Sequence, residues 1–291
     1  MPLDLKFLKA ASDSVQGVVA AVGVVGVLGG MGPLATVDFM QKLIAATPAE
    51  FSTRDQDHVP VVVSSIPQIP DRLLAFRGEG TSPLAAMVSS GRRLIQAGAE
   101  LIVMPCNTAH LWFAELQAAL QVPMLHMVDA ALDDSIHAAS PDMSLGLLCT
   151  EASLQSGLYQ ARAAKSSRHK RLRWTVPTQT EMTSLVTPGI QAVKLGQLAQ
   201  ARELLMALAL QRRGAQSLLL TCTEIRLALV GAERQFKVAV IDATASLAKQ
   251  VSAKKERSAR IKASCQRLLM PALEAANSLR YSPGVSPLRA L

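Results

Sequence analysis

Short β-branched and leucine-rich runs alternate with longer segments of helical periodicity along most of this chain. Val22–Leu28 is a compact apolar run ending in glycines, the pattern of a strand buried on both faces of a parallel sheet. Pro33 then opens a helix with Val37, Met40, Leu43 and Ile44 on one face. Val59–Ile66 reads as a second strand, and Ser82-Pro83 starts a helix through Met87, Leu94 and Ile95 that closes near Gly98. Leu101–Met104 is a third strand ending at Pro105-Cys106. A helix over Ala109–Leu120 and a fourth strand over Pro123–Val128 follow.

The same rhythm then repeats. Strands are expected at Leu145–Leu148, Leu172–Val176, Ser217–Leu220 and Lys237–Ile241. Helices fall at Ser153–Ala163, about Leu198–Gln211, Glu224–Val230 and from Asp242 onward. Strand–helix alternation of this kind makes an α/β fold, a parallel sheet covered by helices on both faces. Ligands of such sheets bind beyond the carboxyl ends of the strands. Two cysteines, Cys106 and Cys222, fall at such ends. The last stretch, Ser282-Pro283-Gly284 to Leu291, reads as a frayed terminus.

With 291 residues, nearly half of them apolar, the chain can bury a sizeable core. No apolar run reaches membrane-spanning length. Gly17–Gly30, preceded by Lys6 and Lys9, has some likeness to a secretory signal. It lacks a leucine core, however, and runs into Gly29-Gly30-Met31-Gly32, which reads as an active-site loop. The four cysteines (Cys106, Cys149, Cys222, Cys265) are scattered singly. That spacing fits a reducing cytoplasm rather than a disulfide framework, and Cys106 with His110 gives too few ligands for a metal. The net charge of +8 is largely local: from Lys254 onward eight basic residues face two acidic ones, and a second basic cluster runs from Lys165 to Arg173. Aromatics that could stack on bases are scarce, so a solvated basic helix is expected and no nucleic-acid partner.

Gly30-Met31-Gly32-Pro33-Leu34-Ala35 satisfies the G-x-G-x-x-A dinucleotide fingerprint between a strand and a helix. A nucleotide would also call for an acidic residue at the end of the second strand; Ser64-Ser65-Ile66 stands there instead. The loop is better suited to bringing backbone N–H groups and a helix N-terminus toward a small anion such as a substrate carboxylate.

The most specific signal is an echo: Met104-Pro105-Cys106-Asn107-Thr108-Ala109-His110 and, downstream, Leu220-Thr221-Cys222-Thr223-Glu224-Ile225. Each places a thiol where a buried strand ends and a helix begins, one in each half. Inverting a carbon centre needs a base on one face and an acid on the other, which two equivalent thiols supply. A helix N-terminus is expected to lower a thiol's pKa toward neutrality. A lone cysteine is more often a small core residue, and Cys149 and Cys265 are assigned so; Thr150 after Cys149 places another hydroxyl at a strand end. The polar neighbours Asn107, Thr108 and Thr223 could hold an α-carboxylate and α-amine.

At these residues the sequence resembles the aspartate/glutamate racemase family, in particular its aspartate racemase branch. The matching stretches are GVLGGMGPLATVDF from Gly26, DQDHVP from Asp55, IPDR from Ile69, MPCNTAH around Cys106, SGLYQ from Ser156 and TCTEI around Cys222. They are collinear and span most of the chain. The resemblance implies two similar parallel-sheet α/β domains related by pseudo-symmetry, with the active site in the cleft between them. The first would run over 1–128, with about 240–291 returning to it, and the second over 129–239. It also implies a two-base mechanism without pyridoxal phosphate, metal or nucleotide, in which Cys222 serves the L-isomer and Cys106 the D-isomer. Asn107, Thr108, Thr150, Thr223 and Glu224 would bind substrate, Met31 and Gly32 would line the loop, and Arg72 and Lys194 would bind a side-chain carboxylate. A homodimer is implied as well. Three features depart from the family pattern: Thr221 where glycine is common, the loop Cys149–Ser153, and the basic extension beyond Val251.

Other readings stay open at this level. The scaffold could serve a broad-specificity amino acid racemase, a hydantoin racemase, or a single-cysteine decarboxylase or isomerase; the intact pair disfavours the last group. A non-catalytic relative that binds a small ligand is the reading of a different class.

Overall fold

The computed structural model describes residues 23–48, 54–137, 144–212, 214–231 and 236–258. Within the compact unit Gly23–Ser252 two parallel sheets form. The first holds β1 (Val24–Gly29), β2 (Val61–Ser65) and β3 (Ala99–Val103) in the order β2-β1-β3. The second holds β4 (Ser144–Leu148), β5 (Arg173–Thr175), β6 (Ser217–Leu220) and β7 (Ala239–Asp242) in the order β5-β4-β6-β7. Every pairing is parallel. In each sheet the first strand in sequence is an inner one, and the strand preceding an echo cysteine lies beside it.

Helices connect and cover these strands. In the first half they are α1 (Pro33–Ala45), α2 (Arg72–Arg77), α3 (Leu84–Gln96), α4 (Phe113–Leu120) and the connecting helix α5 (Met127–His137). The second half has α6 (Glu151–Gln155), α7 (Leu158–Ala164), α8 (Thr187–Lys194), α9 (Leu198–Gln211) and α10 (Thr223–Ala228), and a last helix begins at residue 243. Leu28, Met87, Ile102, Met104 and Leu116 anchor one core; Val186, Leu205, Leu208, Leu220 and Ile225 anchor the other. Such fully buried aliphatics supply the main drive for holding helices on the sheets.

Several expectations change. The expected strand over Pro123–Val128 is reduced to a single bridge between Ile102 and Met124, with Ile102 N–H donating to Pro123 O at 3.0 Å and Leu125 N–H to Ile102 O at 3.2 Å. This vestige occupies beside β3 the place that β7 takes beside β6. It stops because α5 claims the chain from Met127. The last strand of the second sheet, expected over Lys237–Ile241, covers Ala239–Asp242. The helix expected over Ser153–Ala163 is two helices broken at Gly157, whose φ of 59° lies in the left-handed region. The helix over Ala109–Leu120 begins as a 3-10 turn, Thr108–Trp112. On α1 the buried residues are Ala35, Thr36, Phe39 and Leu43, whereas Val37 and Ile44 are 55% and 57% exposed. The signal-like stretch before residue 23, Cys265, the frayed end and most of the basic extension lie outside the described residues.

Candidate active site

The end of β1 fixes the glycine loop. Gly30 has φ of 91°, and a Cβ there would fall 2.3 Å from Ile66 N, so only glycine lets the turn pass the backbone after β2. Gly30 N–H donates to Thr36 Oγ1 at 2.9 Å, and the Thr36 hydroxyl donates to Gly32 O at 3.3 Å. The loop is thus closed on α1, and Gly30 N–H is not offered to an anion as the sequence had suggested. Gly32 is the N-cap of α1, and a Cβ on it would lie 3.9 Å from Glu224 Oε1.

A cavity of about 200 Å³ is lined from both halves of the unit, and Met31, Arg72, Cys106, Asn107, Thr108, Thr150, Lys194, Cys222, Thr223 and Glu224 all face it. Every expected site residue except Gly32 is brought there. The chain also places residues that the sequence did not single out for binding: Asp71, Leu73, Glu151, Thr187, Ile190 and Gln191. The last three precede Lys194 on α8, which follows a π-helical turn, Met182–Val186, and presents Thr187, Ile190, Gln191 and Lys194 at helical spacing. That spacing is visible in the sequence; the wall it forms is not.

Cys106 and Cys222 have different charged neighbours: Arg72 stands beside the first, and Glu224 is hydrogen-bonded to the second. Arg72 is the first residue of α2, whose N-cap Asp71 accepts from Leu73 N–H and Leu74 N–H. Its Nη1 donates to Ile69 O at 3.1 Å and Pro70 O at 2.9 Å, which leaves the rest of the guanidinium beside the Cys106 thiol. Cys222 is the N-cap residue of α10. Its Sγ donates to Glu224 Oε2 at 3.1 Å, and Thr223 Oγ1 donates to the same oxygen at 2.9 Å. The Glu224 carboxylate is therefore bound to the thiol rather than simply lining the substrate space.

Both thiols are pushed up, not down as their helix-terminal places suggested. Burial is the largest cause at Cys106, opposed by Arg72 and by the N–H of Ala109 and aided by the charge of Glu224. At Cys222 burial is reinforced by the charge and hydrogen bond of Glu224. Desolvation outweighs the short helix end at both positions. Cys149 is fully buried and pushed up to about 12 by burial, in keeping with a structural residue.

Hydroxyls and amides cross between the halves. Thr108 Oγ1 lies 3.0 Å from Thr150 Oγ1 and 3.4 Å from Ser153 Oγ. Thr150 also caps α6 by accepting from Ser153 N–H. The Tyr159 hydroxyl donates to Asn107 Oδ1 at 2.5 Å. Thr221, the departure from the family pattern next to Cys222, also lines the cavity, with its hydroxyl donating to Leu148 O at 3.2 Å. Among the described residues no group of three or more His, Cys, Asp or Glu could hold a metal ion, and no helix is long and apolar enough to cross a membrane.

Comparison with known proteins bears on this arrangement. The family model described as Asp/Glu/hydantoin racemase matches residues 28–251. The Bacillus subtilis broad specificity amino-acid racemase RacX is 32% identical over 124 residues; the match takes in 43% of this chain and only half of that relative's length. The structure of Picrophilus torridus aspartate racemase shares 31% identity at a TM-score of 0.68, covering 79% of this chain and 94% of that one. A Francisella tularensis glutamate racemase solved with D-glutamate shares the fold at a TM-score of 0.58 and 14% identity, over 80% of this chain and 81% of that one. With one family model spanning the glycine loop, both strand-end cysteines and both sheets, the chain belongs to the Asp/Glu/hydantoin racemase family.

Proposed function

We propose that this protein racemises an amino acid, with aspartate or glutamate as its foremost substrate, by proton transfer between Cys106 and Cys222 without a cofactor. The observation that carries the reading is that thiols from equivalent strand ends line one small cavity, a cation beside one and a carboxylate hydrogen-bonded to the other. Arg72 favours the thiolate at Cys106, while Glu224 holds the proton on Cys222. A bound D-isomer gives its Cα proton to the Cys106 thiolate, and the electron pair spreads into the α-carboxylate. Cys222 then delivers its thiol proton to the opposite face, leaving the inverted product and a Cys222 thiolate poised for the reverse reaction. Asn107, Thr108, Thr150 and Thr223 supply the donors and acceptors for the α-groups.

Acidic substrates are favoured because the cavity's carboxylates are already engaged. Asp71 caps α2, Glu151 accepts from Arg77 at 2.6 Å and from Gln155 at 2.9 Å, and Glu224 binds Cys222 and Thr223. Arg72 and Lys194 are then left to meet a second substrate carboxylate. The reading includes a cytoplasmic homodimer without a nucleic-acid or membrane partner, resting on the scattered cysteines and the family resemblance.

The test is incubation with L-aspartate and, in parallel, L-glutamate in D₂O, following loss of the Cα proton by NMR together with chiral analysis. Exchange with inversion is expected, abolished by Cys106→Ala and by Cys222→Ala. Binding without exchange for any amino acid would sink the catalytic reading in favour of a ligand-binding relative. A second reading, broad specificity, is favoured by the acidic residues in the cavity wall and by the likeness to RacX. Arg72→Ala decides between the two: acidic substrates should lose about ten-fold or more in kcat/KM if the guanidinium pairs with their side chain. Equal losses for acidic and neutral substrates would favour broad specificity.

A further inference from the structure

The motif around Cys106 ends in a histidine that the proton transfer does not use. His110 is buried, stacked on Phe113 at a centroid distance of 5.5 Å and tilted against His126 at 4.7 Å. Its Nδ1 lies 2.8 Å from Cys106 O, and its Nε2 lies 3.1 Å from the backbone nitrogen of Met127, the first residue of α5. A backbone N–H can only donate, so Nε2 must present its lone pair. The proton therefore sits on Nδ1 and is donated to the Cys106 carbonyl. No other tautomer satisfies both contacts.

The surrounding backbone needs this strut. β3 ends at Val103, and Pro105 brings no N–H. The turn is held locally by Cys106 N–H donating to Met104 O at 2.8 Å and His110 N–H donating to Asn107 O at 3.0 Å. The Cys106 carbonyl is fixed by the imidazole, and the trans peptide then points Asn107 N–H away from His110. On the far side Tyr159 grips the Asn107 amide. The Cys106–Asn107 pair is thus held by a ring in the first half at the Cys106 carbonyl and by a phenol in the second at the Asn107 side chain.

We propose that His110 is the positioning residue for Cys106, its Nδ1–H fixing the peptide that carries the thiol while its Nε2 ties that peptide to the start of α5. The proposal rests on the reading of Cys106 as one of the two bases. Burial that holds the His110 pKa down to about 4 keeps the ring neutral, and the tautomer in place, through the physiological range.

Two side-chain amides separate the two ring functions in the full-length protein. His110→Asn places a donor where Nδ1 stands and loses the acceptor for Met127, whereas His110→Gln places its amide where Nε2 stands and loses the donor to Cys106. The measurements are kcat and KM for Cα inversion and the pH dependence of iodoacetamide alkylation at Cys106, read by peptide mass spectrometry with Cys222 as internal reference. The Gln variant should fall about ten-fold or more below the Asn variant in kcat with KM little changed, since small misplacements of a reacting group cost that much. Its Cys106 alkylation profile should shift while that of Cys222 does not. Equal kcat and superimposable Cys106 profiles in the two variants would reduce His110 to a core residue. The alkylation arm holds even if the wild type inverts no amino acid, so failure of the racemase reading is told apart from failure of this one. Should either variant not fold, ¹⁵N-histidine NMR of the wild type decides: the proton on Nδ1 is required, and an Nε2–H tautomer overturns the proposal.

Discussion

Asn107 and Tyr159 meet out of contact with water, the hydroxyl donating to Oδ1. That bond sets which way the amide faces: with Oδ1 occupied, the nitrogen is the group left for a substrate carboxylate. Tyr159→Phe removes one oxygen and frees the amide to turn. The expected outcome is a KM raised about five-fold, with stability lower by about 1–2 kcal/mol for a buried acceptor left unmet. Steady-state kinetics and urea unfolding check both, and an unchanged KM would mean that Asn107 does not need the phenol. At this scale the two short echoes carried the thiols and their polar neighbours, and the family resemblance added Met31, Arg72, Thr150 and Lys194, which also line the cavity. Ser153, Tyr159 and the role of His110 depend on contacts across 45, 52 and 17 residues of chain, which no local motif encodes. The lowered thiol pKa failed for a related reason: a helix end is visible in a sequence, but the desolvation that overrides it is not.

The element read least well was α1. Of the expected apolar face Val37, Met40, Leu43 and Ile44, Leu43 is buried, yet Val37 and Ile44 are 55% and 57% exposed. The helix is turned instead by the hydrogen bond from Gly30 N–H to Thr36 Oγ1 and by close packing at Gly29, where a Cβ would lie 2.5 Å from that oxygen. A polar residue thus faces inward because it terminates the glycine loop, and hydrophobic periodicity gives no weight to such a bond. Two nearly isosteric changes test which face governs. Thr36→Val should cost about 1–3 kcal/mol by orphaning a buried N–H, while Val37→Thr should stay within about 0.5 kcal/mol. Equal effects in urea denaturation would show that the Thr36 bond does not orient the helix. The inner strands were easier, because β1, β4 and β6 are buried nearly throughout and so read as continuous apolar runs. The fourth strand of the first sheet was the exception: Pro123–Val128 has strand composition, but the start of α5 leaves it a single bridge.

Across the whole unit, alternation of elements was enough to foresee parallel α/β structure with both cysteines at strand ends, and the family resemblance implied its division between two sheets. What it could not foresee is how the halves are stitched together. Arg77 of α2 reaches Glu151 of α6 at 2.6 Å, Arg162 of α7 reaches Asp129 of α5 with two bonds of 2.6 Å, and Ser246 Oγ donates to Asp134 of α5 at 2.8 Å. At the start of α5 this stitching encloses His110 and His126, and it makes the fold acid-sensitive. Burial, with Arg162 nearby, holds His110 down to about 4 against the opposing pull of Cys106 O and Asp129. His126 is held to about 2 by burial, His110, Arg162 and Lys165, and its Nδ1 is buried without a hydrogen-bond partner. Both folded-state values lie below the ordinary 6.5, so the unfolded chain takes up these protons first as pH falls. Stability from the neutral rings is therefore complete above about pH 6.5 and is lost as the pH drops toward the folded-state values. The slope approaches about 1.4 kcal/mol per pH unit for each ring. The carboxylates held low, Asp71 and Glu181, lose their contribution only below the ordinary carboxylate range, while Asp38, pushed up by burial, gains stability as the pH falls and opposes the histidines. Urea midpoints should fall steadily from about pH 6.5 to 5. His126→Phe, which removes one titrating ring and its orphaned nitrogen, should about halve the slope and stabilise the protein at pH 5 relative to wild type. A wild-type midpoint that does not move between pH 7 and 5, or a variant with an undiminished slope, would mean that these rings already carry their protons in the folded state.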